Sequence, residues 1–181
     1  MDMAIKGSGS PMEVVDEYFD MLIKSRFNEM FGHNKYEEKL LSDLFKTSSG
    51  GTPLKSRKDY YEDGNIPWLT SGEVDNEHIT EAKSRITELA LKETSAKIPP
   101  IHSVLVSMYG SIGYAGILEI KAAINQAICA IHPNPNYSPE WLCFFIRSKK
   151  EELLNQGVGV ALTNISQEKI GSMTNRVGKS T

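Results

Sequence analysis

Residues 50–69 read GGTPLKSRKDYYEDGNIPWL, and the side chains collected there suit contact with a phosphate-bearing polymer. Lys55, Arg57 and Lys58 follow a Gly-Gly-Thr-Pro turn and offer cations to phosphate oxygens, while Tyr60 and Tyr61 add ring faces and hydroxyls. Thr70, Ser71, Tyr109, Ser111 and Asn164 carry groups able to hydrogen-bond base edges or the backbone of a nucleic acid. The same residues would also serve on an ordinary solvated loop face, where Lys and Arg usually lie. From residue types alone both readings stay open.

Bond-making chemistry has less support. Residues 134–137 (NPNY) are close to the Asn-Pro-Pro-Tyr loop of amino-methyltransferases, but Asn136 stands where that family has Pro, and Asn/Pro pairs suit any loop ahead of a helix. The terminal VGKST is similar to the tail of a phosphate-binding loop, yet Met173 holds the position of its first glycine. His33, His78, His102 and His132 lack the i, i+4 spacing of a helical metal site, so no metal is expected. The acids form no isolated pair in an apolar setting that would suggest tuned general acid/base work. YGSIGYAG at 109–116 is read as a turn between strands.

The whole chain limits these options further. Its 181 residues fit one principal domain, and 40% apolar with 24% charged residues is ordinary for a globular protein. No run of about 20 apolar residues is present to span a bilayer, and no secretory signal opens the chain, so no membrane association and a cytoplasmic location are expected. Cys129 and Cys143 lie in apolar segments and are read as buried, reduced thiols. A net charge of −3 argues against indiscriminate coating of nucleic acid, which rests on many Lys and Arg contacts. Charge is nevertheless segregated: residues 13–43 are acidic overall, whereas 46–61 and 147–181 are each basic, so two distant stretches are able to share one basic face.

The elements that must position these groups follow from periodicity and turn chemistry. Residues 1–10 (MDMAIKGSGS) are read as a flexible leader or cloning remnant. Residues 11–32 predict a long amphipathic helix, with Val15, Phe19, Leu22, Ile23, Phe27 and Met30 on or beside one apolar stripe that needs a partner. KLLSDLF precedes the Gly50-Gly51 turn, IPWLT reads as a strand, and RITELALKE has helical spacing. SVLVSMY, YAGILEI and AAINQAICAIHP are strand-like. SPEWLCFFIRSKKEELLNQG predicts one helix with Ser138 as N-cap and Pro139 at its first position, and ISQEKIGSM a short final one. Strands and helices without strict alternation predict an α+β domain, a mixed, irregular β-sheet with packed helices over 33–175, followed by a tail at 176–181.

Taken in order, KLLSDLFKTSSGGTP, IPWLTSGEV, ITELALKETSAKIPP, SVLVSMYGSIGYAGIL, AINQAICAI and LTNIS resemble the target recognition domain of type I restriction-modification specificity subunits. The likeness runs from about 39 to 172, and LIKSRFNEMFG at 22–32 looks like the end of that family's conserved spacer helix. MTNRVGKST departs from the family pattern, standing where a Pro-rich segment and second conserved helix would follow, which predicts a truncated or half-length subunit. The resemblance implies a non-catalytic reader of one half of a bipartite double-stranded DNA target. Methyltransferase (modification) subunits, and through them the restriction subunit, would be its partners; S-adenosylmethionine, ATP and Mg would reside in those subunits, with no cofactor in this chain. It also implies that the N-terminal helix docks on another helix, giving self-association through Val15, Phe19, Leu22, Ile23, Phe27 and Met30, and that Lys55 and Arg57 position DNA while Ser71, Tyr109 and Asn164 are among the readers. The recognition domain of a fused restriction-methylation enzyme and a helix-docking scaffold are the alternatives.

Overall fold

The computed structural model describes residues 36–155 and 165–178, together with 15, 18–19, 21–23 and 25–26. Packing divides the chain into Met1–Glu37 with Arg176–Thr181, and Glu38–Asn175. In the first unit the described residues between 15 and 26 are helical, with Val15, Phe19 and Leu22 exposed and Ile23 half-buried. Phe27, Met30 and the rest of the helix expected over 11–32 lie outside the described residues.

The second unit holds two sheets. The larger runs in the order β2 (Thr47–Ser49), β9 (Ile128–Ile131), β6 (Val104–Ser107), β7 (Ala115–Leu118), β4 (His78–Ile79), antiparallel except for the β7–β4 pair. The smaller is β5 (Ser84–Ile86), β3 (Ile66–Leu69), β8 (Ala123–Ile124), with β3 antiparallel to β5 and parallel to β8. Strands β1 (Tyr36–Leu40) and β10 (Thr174–Gly178) pair separately. The sequence predicts an α+β domain with one mixed, irregular sheet; the structure is a mixed helix-and-strand architecture of that irregular kind, with the strands divided between separate sheets.

Every residue of β6, β7 and β9 is buried, as expected of strands written as continuous apolar runs instead of alternating ones. Helix α3 (Pro139–Ser148) covers β6 and β7 with Leu142, Cys143, Phe145 and Ile146. Two apolar clusters result, and β3 and β8 stitch them together. Trp68 and Ala123 belong to one cluster with Tyr60, Ile66, Ile86, Ala90 and Ala96. The residues that follow them, Leu69 and Ile124, belong to the other with Val74, Leu105, Leu118 and Ile128. Because successive strand residues face opposite ways, each two-residue step sends one side chain into each cluster.

Several elements are shorter than the sequence pattern suggests. RITELALKE begins as strand and becomes helix α2 (Glu88–Glu93) only after Thr87, whose hydroxyl caps it by accepting from the Ala90 amide at 3.2 Å. AAINQAICAIHP is two strands, β8 and β9, separated by a turn in which Asn125 Oδ1 accepts from the Ala127 amide at 3.0 Å. Ser138 and Pro139 start α3 as expected, with Ser138 Oγ accepting from the Trp141 amide at 3.1 Å. The single helix expected there divides at Lys149, and α4 (Lys150–Asn155) follows. Ser148 Oγ donates to the Phe145 carbonyl at 2.7 Å, drawing that acceptor away from the helical ladder at the break. Helix α1 (Leu41–Leu44) and helix α5 (Gln167–Gly171) complete the unit. Both cysteines are buried free thiols, and burial pushes Cys129 up to about 12.

Candidate nucleic-acid interface

The Gly-Gly-Thr-Pro turn is fastened to the junction of the two sheets. Gly50 N donates to the Asn125 carbonyl and Gly51 N to the Ile124 carbonyl, each at 3.2 Å, while Trp68 Nε1 donates to the Gly51 carbonyl at 3.3 Å. A Cβ on Gly50 would lie 1.8 Å from Ile124 O, and one on Gly51 would lie 2.0 Å from Ser95 Oγ. No side chain fits at either position without moving backbone. The turn thus delivers Thr52 to a fixed place, where its hydroxyl donates to Gln126 Oε1.

Strand directions show what else arrives there. β2 ends at Ser49 opposite Cys129, β6 ends at Ser107 opposite Ile128, and β3 and β8 end side by side at Leu69 and Ile124. Asn125 N donates to Leu69 O at 3.1 Å, Met108 N to Ala127 O at 2.8 Å, and Ile165 N to Met108 O at 2.9 Å. One end of the sheets therefore gathers Thr52, Thr70, Ser71, Tyr109 and Gln126, all carried on short loops from a buried scaffold. Ser111 joins them through the turn between β6 and β7. Asn164 lies outside the described residues, but its neighbour Ile165 is anchored to Met108, one residue from Tyr109.

The β6–β7 turn is held internally. Ser107 Oγ donates to the Tyr109 carbonyl at 3.1 Å, Ser111 N to the same carbonyl at 2.8 Å, and Ser107 N to the Tyr114 carbonyl at 2.9 Å. Gly110 and Gly113 supply the positive φ values of 72° and 78° that reverse the chain. Ile112 is buried, whereas Tyr109 and Tyr114 stay exposed, with Lys150 Nζ 4.1 Å above the Tyr114 ring centroid. Thr70 is the start of a capping box: its amide and hydroxyl donate to Glu73 Oε2 at 2.9 and 2.8 Å, and Glu73 Oε1 accepts from Lys83 N at 2.8 Å. Ser71, the next residue, is half-buried.

The basic run divides. Lys55 and Lys58 are exposed. Arg57 pairs in fork geometry with Asp59 (2.8 and 2.6 Å), reaches Glu93 at 3.5 Å and lies 4.3 Å over the Tyr60 ring. That hydrogen bond with Asp59 raises the Arg57 pKa and lowers that of Asp59. Tyr60 is buried at 5% exposure, and its hydroxyl donates to Glu93 Oε2 at 2.9 Å, which raises its own pKa. Its carbonyl accepts from Thr87 N, the residue after β5, and β5 ends opposite the first residue of β3. Arg57 and Tyr60 thus sit beyond the start of β3, away from the end that carries Thr70. Of the residues singled out by sequence, the structure groups Thr70, Ser71, Tyr109 and Ser111 with the candidate face and sets Arg57 and Tyr60 apart in a local network.

Arg147, counted above with a basic stretch, is turned to the backbone: its guanidinium donates to Ala115 O at 3.0 and 2.7 Å and to Asp75 O at 3.3 Å. At the opposite end of the large sheet, His78 and His102 flank the Glu119 carboxylate at 2.7 and 3.3 Å. Among the described residues no group of three His, Cys, Asp or Glu side chains is arranged to hold a metal ion, and no helix is long and apolar enough to cross a membrane.

Sequence reasoning passed over Thr52 and Gln126. Two adjacent amide residues interrupting an apolar run were the available signal, because they mark a turn where a continuous strand was expected.

A family model for the type I restriction modification DNA specificity domain matches residues 33–174. The chain belongs to that family. It is 25% identical over 148 residues to the specificity subunit of the Escherichia coli type I restriction enzyme EcoR124I/EcoR124II, covering 78% of this chain and 37% of that protein. It is 30% identical over 117 residues to the MjaIX specificity subunit of Methanocaldococcus jannaschii, covering 63% of this chain and 27% of that protein. Among solved structures, the HsdS subunit from Thermoanaerobacter tengcongensis superposes with a TM-score of 0.65 at 16% identity, over 91% of this chain and 40% of that one. A chain from a type I restriction-modification complex superposes with a TM-score of 0.67 at 17% identity, over 91% and 41% respectively. This specificity domain therefore shares its fold with both and spans well under half the length of the relatives it matches.

Proposed function

We propose that this specificity domain reads one half of a split double-stranded DNA sequence for a type I restriction-modification system and performs no catalysis itself. The observation that carries the reading is the convergence of Thr52, Thr70, Ser71, Tyr109, Ser111 and Gln126 at one end of two buried sheets, in a chain of the DNA specificity family. Short loops on a rigid scaffold suit recognition, because base discrimination needs donors and acceptors held at fixed spacing.

In this reading, Ser71, Tyr109, Ser111 and the segment bearing Asn164 address base edges, and Lys55 and Lys58 draw in the phosphate backbone. Modification subunits bring S-adenosylmethionine and methyl transfer, and the restriction subunit brings ATP and Mg. The helical stripe of Val15, Phe19 and Leu22, exposed here, is a docking face for another helix, in a second copy or within the assembly.

The test is to produce the intact subunit with its modification partner in cells and sequence the methylated sites. A bipartite motif is expected, one half of which changes when residues 39–172 are exchanged for the corresponding segment of a relative. Unchanged methylation after that exchange would remove the reading.

A further inference from the structure

Gln126 lies on the turn to which the loops of the candidate face are tied, and its surroundings orient its amide. It sits in the three-residue turn between β8 and β9, exposed, with both neighbours pinned. Asn125 donates through its amide to Leu69 O at 3.1 Å and accepts from Gly50 N at 3.2 Å, while Ala127 donates to Asn125 Oδ1 at 3.0 Å and accepts from Met108 N at 2.8 Å. The turn is thereby tied at once to the Gly-Gly turn, to the strand leading into Thr70 and Ser71, and to the strand leading into Tyr109.

The side chain is held too. Thr52 Oγ1 donates to Gln126 Oε1, so the oxygen end of the amide is drawn against Thr52, and the end left for a ligand is the NH2 group with its two donor protons. Glutamine reads adenine by offering acceptor and donor together, in a bidentate contact. With one of the two Oε1 lone pairs engaged and the oxygen end turned toward Thr52, the amide presents its two Nε2 protons, which suits an acceptor-only partner, and a phosphate oxygen is such a partner.

We infer that Gln126 donates from Nε2 to a DNA phosphate, with Thr52 as the positioning residue that aims it. This contact sets the register in which the surrounding loops meet the bases, and it is independent of sequence. The inference rests on the DNA-reading function proposed above. It explains why the turn bearing Gln126 is tied to three separate loops: a register contact is useful only if its distance to every reader is fixed.

The test uses the intact subunit assembled with its modification partner and a pool of random-sequence DNA duplexes. Duplexes selected by the parent complex are then measured with variants. Gln126→Glu keeps an oxygen for Thr52 but replaces the donor by an anion; it is expected to weaken binding to every selected duplex by roughly tenfold or more while leaving the base preferences unchanged. Gln126→Lys restores a donor to phosphate; binding is expected to be retained, with the slope of log affinity against log salt steeper by about one. Thr52→Val, which removes the hydroxyl while keeping the shape, is expected to weaken all duplexes in parallel. Unchanged affinity in Gln126→Glu, or a changed preference confined to one base pair, would overturn the inference, the second outcome making Gln126 a base reader. If the parent complex selects no duplexes, the DNA-reading function itself fails and takes this contact with it, a result distinct from parental binding that the variants leave untouched.

Discussion

Gly50 and Ile124 approach so closely that a Cβ on the glycine would stand 1.8 Å from the Ile124 carbonyl oxygen. The contact joins the loop after β2 to the strand that carries side chains into both cores, so an intruding methyl has no soft neighbour to displace. Gly50→Ala is expected to destabilise the domain by about 3 kcal/mol or more, at the upper end of overpacking costs. Urea unfolding followed by tryptophan fluorescence, with Trp68 reporting on the same junction, measures it. A loss under about 0.5 kcal/mol, within the range of ordinary surface changes, would mean that the turn shifts freely.

Lys55 and Arg57 should behave differently despite their proximity. The Arg57 charge is already matched by Asp59 in fork geometry, with Glu93 nearby, so it adds little to the field that attracts DNA. Lys55→Ala in the assembled complex is expected to weaken binding to all duplexes and to reduce the salt slope by about one. Arg57→Ala is expected to leave that slope nearly unchanged, since a guanidinium committed to Asp59 contributes no phosphate contact. Equal reductions in the two slopes would show that Arg57 releases Asp59 when DNA binds.

What the sequence revealed and what it hid have physical causes. β6, β7 and β9 were legible because burial on both faces demands continuous apolar runs, and the start of α3 was legible because Ser138 and Pro139 act locally. The division of AAINQAICAIHP was not, because the turn at Asn125 is stabilised by Gly50, Leu69 and Met108, partners remote in sequence. Tyr60 looked like a loop aromatic beside cations, yet its ring fills a core whose other members come from β3, β5, β8, α2 and the segment after α2 that carries Ala96. Residue type identified a polar face; only the pairing of strand ends shows which of its residues share it.

Burial of Cys129 makes a prediction about pH. Its thiol is pushed up to about 12 in the folded chain, whereas an unfolded thiol ionises near 9. Between those values the unfolded state has lost a proton that the folded state keeps, so this group lowers stability as pH rises through that window and has no effect well below it. Cys129→Ala should make the fall in the urea midpoint between pH 8 and pH 10 shallower than in the parent. A parallel fall in the two proteins would assign the alkaline loss to other groups.

Tyr109 provides the sharpest check on base reading. It is exposed at 44%, its carbonyl accepts from both Ser107 Oγ and Ser111 N, and Met108 ties its strand to the turn that bears Gln126. In the proposed reading, a side chain carried on such a backbone addresses a particular base pair. Removing it should therefore change which sequences are bound more than how salt weakens them. Tyr109→Ala in the assembled complex is expected to lose roughly 1–3 kcal/mol of discrimination at one position of the recognised half-site, with an unaltered salt slope. Selection from a random duplex pool by parent and variant measures both quantities. A uniform loss at all positions would place Tyr109 on the DNA backbone, and the choice of sequence would then fall to Ser71, Ser111 and the segment ahead of Ile165.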